Sequence, residues 1–217
     1  MFEDNELLSK NQLGVLYGIA SVACFAMMDA SVKWLDMLPV GQVLFARFFF
    51  GLIPILMLVP KSEYKTFYKT TRPKLHAARA IAGFFAIVSL FIALREMPLA
   101  DVVSLTFGGP IFVTLGSIFF LSEKVGIRRW SAVFIGFIGM LMIVKPAYDE
   151  LNIYYIFPII FCIFFACVAL SIRSLSSTEP NYRIALYFSL LSMVGGLVTL
   201  PFGWIMPSKF ELFLLIF

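Results

Sequence analysis

The sequence contains few of the residues that catalytic centres and metal sites require. It has one histidine and three cysteines among 217 residues, and no HExxH, GxSxG or Walker A glycine-lysine motif occurs in it. Cys24, Cys162 and Cys167 all lie in apolar stretches and lack the CxxC spacing of zinc ligands. The sequence therefore argues against a zinc protease, a serine hydrolase and an ATP-driven pump, and it predicts no enzyme activity, cofactor or metal.

Charged residues are also scarce, and long apolar runs take their place. Only 14% of the residues are charged whereas 61% are hydrophobic, a balance that soluble domains do not reach. Seven apolar segments are long enough, or nearly so, to cross a bilayer as helices. They cover residues 13–35, 40–59, 77–94, 99–121, 130–144, 153–172 and 184–205. We therefore expect an all-α integral membrane protein.

The sequences at the two ends of the chain lead to two further predictions. The first residues, MFEDNELLSK, are acidic rather than basic, so we expect no cleaved signal peptide and a cytoplasmic segment over residues 1–12. An eighth apolar segment opens at Phe210 and stops at Phe217. The chain is therefore expected to be incomplete at its C-terminus.

The basic residues predict the orientation of the helices. With a cytoplasmic N-terminus, twelve of the seventeen basic residues fall in inside loops, as the positive-inside rule requires. The net charge of +4 is thereby explained by membrane insertion, and no nucleic-acid partner is expected. The densest cluster, residues 61–79, is interpreted as a topology signal rather than a regulatory site.

A weak internal repeat links the first and sixth apolar segments. Residues 26–35 align with residues 166–175 at a spacing of about 140 residues, and Ser31 and Lys33 match Ser171 and Arg173. A unit that begins at both segments contains five spans, so its second copy runs through the membrane in the opposite direction. Inverted repeats of this kind are typical of secondary transporters.

Glycine and proline mark points where helices are expected to bend or to pack closely. The stretch SLTFGGP, residues 104–110, lies in the middle of a span and should kink the helix and expose backbone carbonyls. Gly14 and Gly18 form a GxxxG pair, and Gly136 and Gly139 form a second small-residue face. Close packing against neighbouring helices is predicted for both pairs.

Several stretches resemble the EamA domain of the drug/metabolite transporter superfamily. They include ACFAMMDASVKWL, REMPLADVVSLTFGGP, LSEK and RRWSAVFIGFIGMLMIVKP, and the resemblance covers residues 13–146, with residues 151–217 similar to the opening of a second domain. It implies a bundle of ten helices in two inverted five-helix repeats, the second incomplete here. It also implies a permease of the bacterial inner membrane for an amino acid, vitamin or nucleoside-like metabolite. Members that take up S-adenosylmethionine or riboflavin are the most similar, and a homodimer is a further expectation.

Charged residues within the first two spans are the strongest candidates for a solute site. Asp29 and Lys33 are four residues apart on one helix face and can neutralise each other. Arg47 lies about two turns into the second span, and its forked donors suit a carboxylate or phosphate. A buried ion pair between Arg47 and Asp29 is the alternative. Asp29 is also the in-span carboxylate that is expected to carry a coupling proton.

The remaining candidates are aromatic, hydroxyl and gating residues. Planar solutes can stack on aromatic rings, and hydroxyls and free carbonyls of a broken span can bind polar groups. The additional substrate-binding candidates are Phe48, Phe84, Ser104, Thr106, Phe107 and Pro110, and the candidates for gating or salt bridges are Asp101, Glu123 and Arg128.

Two other functions fit the same sequence. A flippase for lipids or lipid-linked sugars would need a lateral opening between helices. A membrane scaffold without transport activity would show no cavity and would close Asp29, Lys33 and Arg47 into one salt bridge.

Overall fold

The structure, a computed structural model, describes residues 10–121, 125–144 and 153–216, and these residues form α-helices and short turns without a β-strand. The helices are α1 (Lys10–Trp34), α2 (Val40–Met57), α3 (Pro73–Glu96), α4 (Leu99–Thr106), α5 (Gly109–Leu121), α6 (Ile127–Val144), α7 (Ile156–Leu175), α8 (Asn181–Leu197) and α9 (Lys209–Ile216). Within the described ranges, six helical stretches are long and apolar enough to cross a membrane, with α4 and α5 counted as one. The predicted all-α membrane bundle is confirmed.

The helices run between two ends of the bundle. Residues 35–39 connect α1 to α2 at one end, which we call the α1–α2 end. Residues 58–72 connect α2 to α3 at the other, the α2–α3 end. Lys33 lies at the α1–α2 end and Arg173 near the α2–α3 end, beside Ser174, whose carbonyl accepts a hydrogen bond from Arg72. Opposite placement of these two bases is what the inverted repeat requires, although the repeat and its domain boundaries stay predictions.

An apolar core fills the α1–α2 end. Leu35, Leu38, Leu44 and Leu94 are almost completely buried there, together with other side chains of α1 to α4. Arg95 closes this end, because its Nη2 donates to the backbone carbonyls of Leu35, at 3.1 Å, and of Leu38. The first three helices are therefore held together where α1 turns into α2.

Helices α2 and α8 approach each other closely at a pair of glycines. A Cβ added at Gly196 would lie 2.7 Å from the backbone nitrogen of Phe45 and 2.8 Å from the carbonyl oxygen of Gly41. Gln42 is 6% exposed and bonds both backbone groups of Ile205, donating at 2.7 Å and accepting at 3.0 Å. These contacts tie α2 to α8 and to the segment that follows it.

The glycine pairs that the sequence singled out do not make such contacts. A Cβ added at Gly14, Gly18, Gly136 or Gly139 would meet nothing within 4 Å. The prediction of close helix packing at these positions is wrong for the described structure. GxxxG spacing provides a small face but does not specify a partner.

The predicted break in the fourth span is confirmed. Helix α4 ends at Thr106 and α5 begins at Gly109. Pro110 has no N–H for the carbonyl of Thr106. The buried thiol of Cys162 on α7 lies 3.6 Å from the carbonyl oxygen of Leu105 and 3.8 Å from that of Thr106, so a weak donor reaches both groups. The break is thus accommodated by packing of α7.

Candidate functional site

A cavity of about 520 Å³ lies between α1, α2, α8 and α9. Apolar side chains make up most of its wall, and a few polar groups reach it from three of the helices. Its lining residues are Ser21, Cys24, Phe25, Met28, Ser31, Val32, Leu35, Val43, Arg47, Phe48, Phe50, Gly51, Pro54, Ile55, Ser189, Leu214, Leu215 and Ile216. This size and composition suit a small organic solute.

Arg47 brings a positive charge into this cavity. It lies about two turns, or about 10 Å, from the start of α2, and its guanidinium carbon is 5.9 Å from the centre of the Phe91 ring. Within the described part of the chain, no hydrogen bond or ion pair reaches the Arg47 guanidinium. A guanidinium without a protein partner is available to a ligand, and its forked donors match a carboxylate.

Asp29 lies beside the cavity on α1, next to the lining residue Met28. Its Oδ1 is buried and has no hydrogen-bond partner among residues 10–121, 125–144 and 153–216. Asp29 lies within electrostatic range of Arg47, yet among the described residues no ion pair within 4.0 Å joins it to Arg47 or to Lys33. The site therefore holds an unpaired acceptor near an unpaired donor.

Lys33 has a different role from the one that its spacing suggests. Its Nζ donates to the carbonyls of Leu94, at 3.0 Å, and Met97, at 2.7 Å. These are carbonyls at the C-terminal end of α3, where cations bind favourably. The expected neutralisation of Asp29 by Lys33 is therefore not formed, because packing of α1 on α3 gives the ammonium group better acceptors.

The other predicted substrate-binding residues divide between the cavity and packing positions. Phe48 lines the cavity, whereas the ring of Phe84 packs against Gly195 of α8. Ser104 and Thr106 each donate to a carbonyl of their own helix, at 2.7 Å. Phe107 is 69% exposed.

Pro110 borders a second cavity, of about 360 Å³, between α5 and α7. Thr114 and Ser117, both buried, contribute to its wall, and Arg173 stands at its edge. The two cavities share no lining residue. Pro110 is thus placed apart from the group around Arg47.

The predicted gating residues are also dispersed. Asp101 accepts a hydrogen bond from the hydroxyl of Tyr155 at 3.4 Å, which joins the start of α4 to the start of α7. Arg128 is exposed at the start of α6. Glu123 lies outside the described residues.

A buried carboxylate at the α2–α3 end escaped the sequence analysis. Glu179 is 5% exposed and accepts hydrogen bonds from the hydroxyl of Thr70, at 2.6 Å, and from Nη1 of Arg183, at 2.7 Å. Burial raises the pKa of its carboxyl, but these hydrogen bonds favour the carboxylate, and the net pKa lies below the ordinary value of 4.5. Nε2 of His76 lies 3.9 Å from Oε1 of Glu179.

Further bonds join the 58–72 connection to the end of α7 and the start of α8. Arg183 donates from Nε to the carbonyl of Phe67, at 2.9 Å, and pairs with Glu63 at 3.3 Å. Arg72 donates to the carbonyl of Ser174 at 2.8 Å. These partners are separated by more than 100 residues in sequence, so no local pattern announces them. Arg72, one residue of the basic cluster at residues 61–79, therefore also helps to close this end of the bundle.

Metal binding has no support in the described part of the chain. Its residues contain no group of three or more His, Cys, Asp or Glu side chains that could hold an ion. Around the cavity, the described residues provide the guanidinium of Arg47, the carboxylate of Asp29, several hydroxyls and aromatic faces, and groups of these kinds can bind a solute reversibly.

These features define a multi-pass helical membrane protein with a solute-sized cavity between its helices. The chain belongs to the EamA-like transporter family, whose model matches residues 12–145. The resemblance expected from the sequence motifs is thereby confirmed.

Curated relatives cover nearly the whole chain at modest identity. The S-adenosylmethionine uptake transporter of Rickettsia bellii is 27% identical over 97% of this chain and 72% of its own length. The pseudopaline exporter CntI of Pseudomonas aeruginosa is 31% identical over 88% of this chain and 66% of its own. The riboflavin transporter of Vibrio cholerae is 26% identical over 94% of this chain and 70% of its own length. No solved structure matches the chain significantly.

Proposed function

We propose that the protein is a secondary transporter that moves a small polar metabolite across the bacterial inner membrane by alternating access. The observation that carries this proposal is the guanidinium of Arg47, which lines the cavity between α1, α2, α8 and α9 and has no hydrogen bond or ion pair with the described residues. Amino acids, vitamins and nucleoside-like compounds are the candidate solutes. The names of the three relatives described above each refer to transport, which supports a transporter over an enzyme.

The energetic argument starts from the cost of a charge within the membrane. An arginine near the middle of a membrane helix costs about 2.5 to 3.5 kcal/mol on insertion scales, and an ion pair would recover part of that cost. Arg47 has Asp29 in its neighbourhood but forms no ion pair with it in the described structure. A solute with a carboxylate for Arg47 and an ammonium group for Asp29 would satisfy both. The α-amino acid group has this pair of charges.

Two alternatives make different demands on the same residues. A scaffold requires a closed salt bridge among Asp29, Lys33 and Arg47, whereas Lys33 binds carbonyls of α3 and the cavity is present. A lipid flippase predicts no saturable uptake of water-soluble compounds. The transport assay below distinguishes it from the proposed permease.

The orientation and the driving force are parts of the same proposal. The distribution of basic residues favours a cytoplasmic N-terminus, which would turn the α2–α3 end toward the cytoplasm. Asp29 is the proposed carrier of a coupling proton. Uptake by an Asp29→Asn variant that still depends on pH and on the proton gradient would remove this role from Asp29.

Uptake by membrane vesicles tests the main proposal. Vesicles that contain the full-length gene product are supplied with labelled S-adenosylmethionine, riboflavin and the common amino acids. S-adenosylmethionine is an informative probe because it carries an α-carboxylate and an α-ammonium group. We expect saturable uptake of at least one probe, and an Arg47→Ala variant should raise its half-saturation constant by about tenfold or more, since bonds to charged groups contribute about 1.5 to 3 kcal/mol.

An Arg47→Lys variant is the matched control. It keeps the positive charge but loses the fork that binds a carboxylate through two bonds, so its half-saturation constant should lie between those of the wild type and Arg47→Ala. Absence of uptake of every probe by the wild type would refute the proposed function. Uptake that is unchanged in Arg47→Ala would make Arg47 a structural residue.

A further inference from the structure

A second arginine, Arg79, is buried in the bundle with two nitrogens that have no hydrogen-bond partner among the described residues. Arg79 is 8% exposed, and its buried Nε and Nη1 make no hydrogen bond within the part of the chain that the structure describes. It lies about 9 Å from the start of α3, at the α2–α3 end, whereas Arg47 lies about 10 Å from the start of α2, at the opposite end. Two arginines with unsatisfied donors thus lie at similar depths from opposite ends of the bundle.

An aromatic pair separates Arg79 from the cavity. The guanidinium carbon of Arg79 lies 3.9 Å from the centre of the Phe188 ring. That ring meets Phe48 edge to face, with centroids 5.0 Å apart, and Phe48 lines the cavity together with Ser189, the neighbour of Phe188. The rings of Phe48 and Phe188 therefore lie between the cavity and Arg79, and the cavity itself extends to Ile55, near the α2–α3 end.

The backbone of α3 allows Phe188 to take this position. A Cβ added at Gly83, one turn after Arg79, would lie 2.6 Å from Cε2 of Phe188. The missing side chain lets the ring lie directly on α3. The contact with α3 is made by the ring of Phe188 rather than by main-chain atoms of α8.

The contact with Phe188 does not compensate for the burial of Arg79. A cation over an aromatic ring gains about 0.5 to 2 kcal/mol, whereas removal of a charge from water costs several kcal/mol. The nearby carboxylate of Glu179 is bonded to Arg183 and Thr70, and no ion pair joins it to Arg79 in the described structure. His76, one turn before Arg79, and Arg72 add further basic groups at this end. The surroundings of Arg79 therefore have an excess of donors over acceptors.

We propose that Arg79 is a second anion-binding site of the transport path, which receives the carboxylate of the solute when Phe48 and Phe188 separate and the bundle opens at its α2–α3 end. This inference rests on the proposed transport function. Arg47 binds the carboxylate while the cavity is open toward the α1–α2 end. Arg79 takes over the same group on the other side of the aromatic pair.

The sidedness of the transport kinetics tests this assignment. Half-saturation constants are measured in right-side-out and inside-out vesicles with labelled S-adenosylmethionine, riboflavin and the common amino acids as probes. For the probe that the wild type transports, Arg79→Gln should raise the half-saturation constant at the α2–α3 end by about tenfold or more, because a hydrogen bond to a charged group is lost. The half-saturation constant at the α1–α2 end should change by less than about twofold. Arg47→Ala should instead raise the half-saturation constant at the α1–α2 end more than the one at the α2–α3 end.

Two variants serve as controls. Arg79→Lys keeps the charge and should retain most of the affinity at the α2–α3 end. Lys69→Gln removes an exposed charge from the same end and should change neither constant. A purely structural role of Arg79 would lower the amount of active protein without shifting one constant relative to the other.

The outcomes separate this inference from the proposed function. The assignment of Arg79 would be overturned if the half-saturation constants of Arg79→Gln equalled those of the wild type at both ends. Loss of transport in both directions in Arg79→Gln and Arg79→Lys alike would also overturn it. Absence of transport of every probe by the wild type would refute the proposed function, and the role of Arg79 would be refuted with it.

Discussion

Replacement of Glu179 by glutamine removes the buried negative charge of the α2–α3 end and leaves the size of the side chain almost unchanged. The carboxylate accepts hydrogen bonds from Thr70 and from Arg183. An amide offers one acceptor atom, and its NH₂ group faces donors. The variant therefore weakens the contact between the 58–72 connection and α8 without creating a cavity.

The size of the effect follows from these bonds. A hydrogen bond to a charged group contributes about 1.5 to 3 kcal/mol, against about 1 kcal/mol for a neutral one. Arg183 keeps Glu63 and the carbonyl of Phe67, so it is not left without a partner. We expect a loss of about 2 kcal/mol in the free energy of unfolding, which corresponds to a fall in Tm of about 4 to 8 °C for a chain of this length.

The pH dependence has a definite sign. Because the folded-state pKa of Glu179 lies below 4.5, its stabilising effect is present above pH 4.5 and is lost as the pH falls through the folded-state pKa. The difference in Tm between the wild type and Glu179→Gln should therefore be largest near neutral pH and should close below pH 4.5. A glutamine does not titrate, so the variant lacks this component of acid sensitivity.

Thermal unfolding of the purified protein in detergent, followed by circular dichroism over a range of pH, measures this difference. Glu63→Gln is the matched control, because Glu63 pairs with the same arginine but its side chain is 40% exposed, and it should cost less than about 1 kcal/mol. A Tm difference for Glu179→Gln that is independent of pH, or no larger than that of Glu63→Gln, would refute the reasoning.

Two further predictions concern helix packing and the end of α3. Gly196→Ala should lower the free energy of unfolding by about 1 to 3 kcal/mol or prevent folding, because the new methyl group meets main-chain atoms of α2, whereas Gly14→Ala should be tolerated. Tm and size-exclusion profiles in detergent compare the two variants. Equal stability of both would contradict the close packing of α2 on α8. Lys33→Met should lower the free energy of unfolding by about 1.5 to 3 kcal/mol, because the hydrogen bonds to the carbonyls at the end of α3 are lost. The half-saturation constant for solute should stay unchanged. A changed constant at unaltered stability would place Lys33 in the solute site instead.

Features that depend on neighbouring residues in sequence could be predicted. Hydropathy over windows of about twenty residues located the membrane helices, because the bilayer sets the length of apolar chain that spans it. The break between α4 and α5 could be located from the glycines and Pro110, since proline lacks the N–H that the helix requires. Motifs along residues 13–146 were sufficient to name the family.

Features that depend on which distant residues become neighbours in the fold could not be predicted from the sequence. Lys33 is four residues from Asp29, which permits an ion pair, yet the packing of α1 on α3 brings two carbonyls closer to its Nζ. Gly14 and Gly18 have the spacing of a packing motif, but the close approach occurs between Gly41 and Gly196, in helices that are distant in sequence. In both cases several partners are compatible with the local pattern.

The first span illustrates the division between the two sources of information. The sequence by itself determined that residues 13–35 are apolar and long enough to cross a membrane as a helix, with a carboxylate and an ammonium group near one end, because hydropathy and spacing are properties of a single helix. Only the tertiary structure decided that Lys33 binds α3, that a buried oxygen of Asp29 has no hydrogen-bond partner among the described residues, and that Arg47 faces a cavity. The physical reason is that a charge within a membrane pairs with whichever polar group the packing of other helices brings within hydrogen-bonding distance.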